Sequence, residues 1–493
     1  MQRVPGHVVA LGVLVAVVAA VAWWGGIAVG SAAAPDAPEH IEYARYLANT
    51  GHLPPKSLNY EYTSPPGYAF SVVYLQRWAR WLHIHDGAPL FVLPANARRI
   101  GWLALLALAG LALTSRSLPP RARAGAACAV GILVLAGFVA VVARMRQVPW
   151  STGQMISLVS ACILVLVTAA LARRALPGSR YAPVIAAGAV AALPVFMREA
   201  VVFHPEALFA ALVALALYAF VRGVEGEWRL RYAVAVGALV GLAALTRQTA
   251  PVVAVALGVA AVVAGRRDAL RFVGVAAVAL ALVAGPWWGY QASRFGNPIQ
   301  SNLDRPPYML PNGQPRAFYL SFPAHDLVLH PYRNAFKNQL LPKFHADLWS
   351  DWYGVDRNFW ATPSRAERVL ASSQSLLGFG GDAVILAGLI VLGLPALGRL
   401  GHSRETSPLL GTLALLSLLT WVTFVITLVR FPQASGDPIK ASYFLFLAPA
   451  AAIFAVAFGR WLWRRGRGWR IAVSAWALLY AASYAGVLFV TYF

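Results

Sequence analysis

Cysteine is nearly absent from these 493 residues: there are two, Cys128 and Cys162, both inside apolar segments. That excludes a disulfide framework. Charge is scarce as well, at 12% of residues, and acid is the scarcer sign, with 19 Asp and Glu against 41 Lys and Arg. Lysine is limited to Lys56, Lys337, Lys343 and Lys440, so the net charge of +22 is almost all arginine. The basic residues form no long run, and they fall in short connections between apolar segments. That distribution points to membrane topology and away from nucleic acid. No internal repeat is visible, and inverted-repeat transporters often leave one.

What remains is apolar. Hydrophobic residues make up 59% of the chain, and the mean hydropathy is +0.61. Runs near the length of about 20 residues that a bilayer requires recur throughout. The expected fold is an all-α polytopic membrane protein, a single integral membrane domain over 1–493. About thirteen spans are expected: 7–34, 99–114, 124–143, 154–172, 182–198, 205–222, 232–247, 251–265, 270–290, 379–398, 408–429, 441–459 and 470–490. The first could pass for a signal peptide, but its apolar run exceeds the usual h-region of roughly 7–15 residues, so it reads as a retained anchor.

With the N-terminus cytoplasmic, every cytoplasmic connection is short and arginine-rich. These connections carry Arg116, Arg121 and Arg123; Arg173, Arg174 and Arg180; Arg222, Arg229 and Arg231; Arg266, Arg267 and Arg271; Arg399 and Arg404; and Arg460 to Arg470. This follows the positive-inside rule. The two long loops, 35–97 and 291–378, then lie outside with all four lysines. In the first loop, Tyr68 to Leu82 has an apolar face bordered by Arg and Trp, which suits a helix in the membrane interface. The second loop is dense in aromatics and reads as a cap.

The polar groups that could do chemistry gather at the same outer face. Asp36, Glu39, His40 and Tyr43 follow span 1 at spacings that share one helix face. The segment Asn59 to Tyr68, with Glu61, lies further along that loop. Arg198, Glu199, His204 and Glu206 lie between spans 5 and 6, Arg247 ends span 7, and Arg430, Asp437, Lys440 and Tyr443 lie between spans 11 and 12. The span centres are almost free of charge, whereas a transporter places ionisable groups near mid-membrane. Each feature also has a plainer reading. Asp36 with Glu39 resembles a capping box, and Glu206 suits a helix start. Arg247 and Lys440 suit interfacial anchors, the Pro65-Pro66 pair a rigid turn, and Trp349 and Trp352 interfacial aromatics.

The order of motifs resembles the GT-C superfamily of membrane glycosyltransferases, nearest glycosyltransferase family 39 and the aminoarabinose-transferase-like group. The resemblance rests on Pro35-Asp36-Ala37-Pro38-Glu39-His40 through Arg45-Tyr46-Leu47, then Thr63-Ser64-Pro65-Pro66-Gly67-Tyr68, then His204-Pro205-Glu206-Ala207-Leu208. Gly241 to Thr249, Trp287 to Pro298 and Lys440 to Phe444 continue it. Ala37 stands where the group has a second acid, and Tyr290-Gln291 where it has Arg-Asn.

The resemblance implies a glycosyltransferase of the plasma membrane's outer face that uses a polyprenyl-phosphate sugar donor. The acceptor would be a glycan, lipid or protein. On that reading Asp36 is the base and Glu39 its helper. His40, like Glu39, orients it or binds sugar hydroxyls, His204 and Glu206 line the same cavity, and Arg247, Arg430 and Lys440 hold the phosphate. Tyr43, Tyr68, Tyr443, Trp349 and Trp352 line the site. No cofactor is assigned, and a divalent metal is left open, because Ala37 reduces the acid pair. The alternatives are a lipid-linked sugar flippase and a GT-C-like scaffold without activity.

Overall fold

The computed structural model describes residues 6–29, 36–81, 151–303, 309–351, 364–400, 408–434, 436 and 438–492. The described residues are helical, with one isolated antiparallel bridge between Met309 and Gln433. Among the described residues, eight helices are long and apolar enough to cross a membrane: Gly6–Gly26, Thr152–Ala175, Glu206–Glu225, Asp268–Phe295, Arg365–Gly398, Pro408–Arg430, Ala441–Arg464 and Arg467–Thr491. A ninth span arises if the bent pair Ala182–Ala191 and Pro194–Val201 is counted as one, and Leu230–Ala244 and Ala250–Ala264 are shorter apolar helices. Two of the thirteen expected spans, 99–114 and 124–143, lie outside the described residues. The span expected at 379–398 starts earlier, at Arg365, where Ser364 and Glu367 form a reciprocal capping box.

The helices pack closely where side chains are small. A Cβ on Gly237 would come within 2.1 Å of the Ala276 carbonyl oxygen, and one on Gly241 within 2.7 Å of Val283 Cβ. This brings the helix Leu230–Ala244 against Arg266–Phe295, as small residues do in bilayers, where apolar burial gives helices no drive to associate.

The bent pair breaks by 66° between Ala191 and Pro194. Proline has no N–H to donate and disfavours a helical residue before it. The carbonyls freed at the break are not left bare. Tyr484 donates its hydroxyl to Ala191 O at 2.7 Å and Tyr480 to Ala192 O at 2.7 Å, which satisfies backbone that lipid cannot.

The two ends of the bundle differ. At one end arginines meet helix C-termini: Arg174 pairs with Glu225 at 3.1 Å and Arg460 donates to Gly178 O at 2.7 Å. The opposite end carries the helix Ala37–Thr50, a 3-10 turn Tyr60–Thr63, the helix Gly67–Trp81 and short helices between Arg316 and Trp349. Gly67–Trp81 coincides with the segment expected to be an interfacial helix.

Candidate active site

Asp36 occupies the N-cap of the helix Ala37–Thr50, yet its side chain makes no capping hydrogen bond. Instead one carboxylate oxygen, Oδ2, pairs with the Lys440 ammonium, and Oδ1 accepts the Tyr60 hydroxyl at 3.0 Å. The capping box suggested by Asp36 and Glu39 is therefore not formed from the Asp36 side. Burial alone would raise the Asp36 carboxyl. The Lys440 ammonium, helped by His204 and His40, outweighs burial and holds it well below the usual carboxylate range. Lys440 lies 404 residues away in sequence, so the contact is tertiary in origin.

Tyr443 joins Lys440 to the next cation. It belongs to the 3-10 segment Ala441–Leu447, which opens the span running to Arg464. The Arg247 guanidinium lies 4.6 Å from the Tyr443 ring centroid and Lys440 Nζ lies 5.5 Å from it, both within cation–π range. Arg247 also forms an ion pair with buried Glu206. Two acids and two cations thus meet about one phenol ring. The ring, Arg247, Gln248, Ser64 and Asn302 line a cavity of about 130 Å³ that continues along Thr420, Thr423, Phe424 and Thr427. The cavity is polar at the charged end and mixed along the helix Pro408–Arg430.

His40 and His204 face each other edge to face, with ring centroids 5.4 Å apart. Burial first, and then the neighbouring His204, hold the His40 imidazole well below its ordinary value. His40 Nε2 is buried with no hydrogen-bond partner, as is Glu39 Oε2. His204 Nδ1 stands 2.9 Å from Glu199 Oε2. Glu199 neighbours Arg198, whose guanidinium reaches Asp347 Oδ1 at 2.8 Å and the Asp351 carbonyl at 3.2 Å. Asp347 in turn accepts the backbone N–H of Ala441, next to Lys440. Burial would raise the Asp347 carboxyl, but Arg198 and Arg333 outweigh it and lower it. For Asp351 the same two arginines do not suffice: burial and the adjacent Asp347 charge outweigh them and push it up to about 6.

The structure separates the expected site residues into three groups. Asp36, His40, His204, Glu206, Arg247, Lys440 and Tyr443 are joined by the contacts above, with Glu39 on the helix that Asp36 starts. Four others are committed elsewhere or exposed. The Tyr68 hydroxyl bonds to Gly153 O at 2.9 Å and Ser157 Oγ at 3.2 Å. Tyr43 is buried, its hydroxyl 3.4 Å from Ser64 O. Trp349 is buried against Gly378 and Gly381, with its Nε1 on Asp382 Oδ1 at 2.8 Å. That places an acid inside the span Arg365–Gly398, against the near absence of charge expected in span centres. Arg430 is exposed at a helix end over Phe431. Trp352 and Asp437 lie outside the described residues.

Tyr60 and Glu61 belong to the outer-face segment Asn59 to Tyr68 and Gln291 to the Tyr290-Gln291 departure, but no sequence signal assigns any of them a role in the site, and none singles out Asp347. Glu61 is 3% exposed, accepts Ser64 Oγ and Asn302 Nδ2, and is pushed up by burial and the Asp36 charge. Gln291 is buried and donates to Thr63 O at 3.0 Å. With Tyr290 it stands where the resemblance implies an Arg-Asn pair. No periodicity marks any of these as buried. Among the described residues, no group of three or more His, Cys, Asp or Glu side chains is arranged to hold a metal ion.

Fold and site together define a polytopic helical membrane protein with an acid–base cluster at one end of its bundle. Residues 133–290, about a third of the chain, match the family model of the dolichyl-phosphate-mannose-protein mannosyltransferases. The matched stretch includes His204, Glu206 and Arg247. No curated protein matches the chain. Among solved structures, ArnT from Cupriavidus metallidurans in the apo state aligns over 92% of this chain and 80% of its own, at 14% identity and a TM-score of 0.38. The same protein bound to undecaprenyl phosphate aligns over the same shares at 15% identity and a TM-score of 0.36. Both scores are too low to carry residue correspondences.

Proposed function

We propose that the chain is a glycosyltransferase that moves a sugar from a polyprenyl-phosphate donor to an acceptor hydroxyl at the outer face of the plasma membrane, with the N-terminus cytoplasmic. The observation that carries this reading is the convergence of Asp36, Lys440, Tyr443, Arg247 and Glu206 at one end of the bundle, beside a cavity. The segment 35–97 supplies the base Asp36, and the segment 291–378 acts as a cap over the site.

The chemistry follows from the groups. The acceptor oxygen attacks the anomeric carbon while its proton passes to the Asp36 carboxylate. The bond from that carbon to the donor phosphate breaks, and the electron pair goes to the phosphate oxygen. Lys440 and Arg247 neutralise the charge gathering there, the kind of preorganised stabilisation that contributes most in a water-poor site. The orphaned Glu39 Oε2 and His40 Nε2 bind sugar hydroxyls. The mixed wall of Thr420, Thr423 and Phe424 borders the lipid end of the donor.

Purified protein in lipid nanodiscs, given a radiolabelled polyprenyl-phosphate sugar and a cell-envelope acceptor extract, tests the proposal. Label leaving the lipid for an acceptor is the expected result. In sealed vesicles, label that crosses intact would identify a flippase. Neither movement, across donors carrying several sugars, would identify an inactive scaffold.

A further inference from the structure

Asp36 is not free to act as the site stands. Its Oδ2 is held by Lys440 and its Oδ1 by Tyr60, and a carboxylate against an ammonium is a poor proton acceptor. We propose that Lys440 is a latch: it neutralises Asp36 while the site is empty and moves to the donor phosphate when that arrives, so that the base is released only once the donor is in place. The inference rests on the donor reading above and deepens it.

The surroundings allow the move without disturbing the backbone. Lys440 is followed by Ala441, whose N–H is fixed on Asp347, itself held by Arg198. The main chain at that point is anchored, and only the four-carbon side chain needs to turn. The second station is already built. The Tyr443 ring carries Arg247 at 4.6 Å and Lys440 at 5.5 Å, so the two cations share one ring, and that ring and Arg247 line the cavity. Without an anion, Arg247 repels the ammonium toward Asp36. A phosphate beside Arg247 reverses that balance, because it offers Lys440 more negative charge than one carboxylate does. Arg247 is itself paired with Glu206, so Lys440 is the more mobile partner, on a flexible stem ending in a point charge.

The latch predicts competition between Asp36 and phosphate for one ammonium. Affinity for a sugar-free polyprenyl phosphate, measured on the full chain in nanodiscs, reads it without an acceptor. Asp36→Asn removes the competitor and is expected to tighten binding by about tenfold. Lys440→Met should weaken it by a similar factor, and Asp36→Asn should then give no gain in the Lys440→Met background. Equal or weaker binding by Asp36→Asn, with wild-type protein binding normally, overturns the latch and leaves the transferase reading standing. No binding by wild type removes the donor reading and the latch with it. If Asp36→Asn fails to fold, a wild-type structure with the lipid phosphate bound decides. Lys440 Nζ on the phosphate is expected, and Lys440 still on Asp36 refutes the proposal.

Discussion

At the residue scale, the site contains carboxylates with opposite environments. Asp36 is held low by Lys440, so it is ionised at neutral pH, as the proposed role of base requires. Asp36→Asn keeps the shape but cannot take a proton. Turnover is expected to fall about 10²- to 10⁴-fold with the size-exclusion profile unchanged. Asp351 is the contrary case, raised to about 6 by burial and by Asp347. Its unfolded value is about 3.9, so between those values the unfolded chain binds fewer protons than the folded one. Stability therefore falls as pH rises through that window, by on the order of 1–3 kcal/mol. Melting temperatures of wild type and Asp351→Asn at pH 4.5 and 7 check this: the wild type should lose more than the variant on going to the higher pH.

At the element scale, backbone approach fixes where the cations stand. Gly67 starts the helix Gly67–Trp81 with its N–H on the Leu245 carbonyl, and a Cβ there would lie 2.5 Å from that oxygen. The turn after Leu245 carries Arg247. Gly67→Ala must push the two apart, at a cost of roughly 1–3 kcal/mol, and Arg247 moves with the turn. A lower melting temperature and a raised KM for the donor are the expected readings, and an unchanged KM would show that the contact does not position Arg247. The break before Pro194 works in the same direction. It turns the helix Pro194–Val201 so that Arg198 and Glu199 face the charged end, with the cost to the backbone met by Tyr480 and Tyr484.

At the scale of the whole molecule, the short helices near 316–349 are tied to the bundle by buried charge. The Arg198–Asp347 pair links a membrane helix to the helix Leu340–Trp349, with Asp347 2% exposed. Arg198→Met strands a buried carboxylate and should cost about 3–5 kcal/mol. The double variant Arg198→Met/Asp347→Leu removes both charges and should recover much of the stability but not the activity, since the anchor of Ala441 is lost. Melting and turnover of the two variants side by side measure this. Activity recovered along with stability would show that the pair only holds the fold.

Sequence by itself determined the solvent and the secondary structure. Apolar runs of bilayer length leave the backbone no option but helix, and short arginine-rich connections pair the helix ends. Asp36, His204, Glu206, Arg247 and Lys440 were legible because acids and bases are so rare in this chain that their recurrence at alternate span ends is itself a signal. Tertiary structure decided which of them touch. Asp36 and Lys440 are 404 positions apart, and a contact between two charges has no periodicity to betray it. Burial decided the rest: it turned Tyr68 and Trp349 inward as packing and enclosed Glu61 against Ser64 and Asn302. The reason is physical. A charge's partner and its proton affinity depend on distance and dielectric in three dimensions, whereas helix formation in lipid depends on local composition alone.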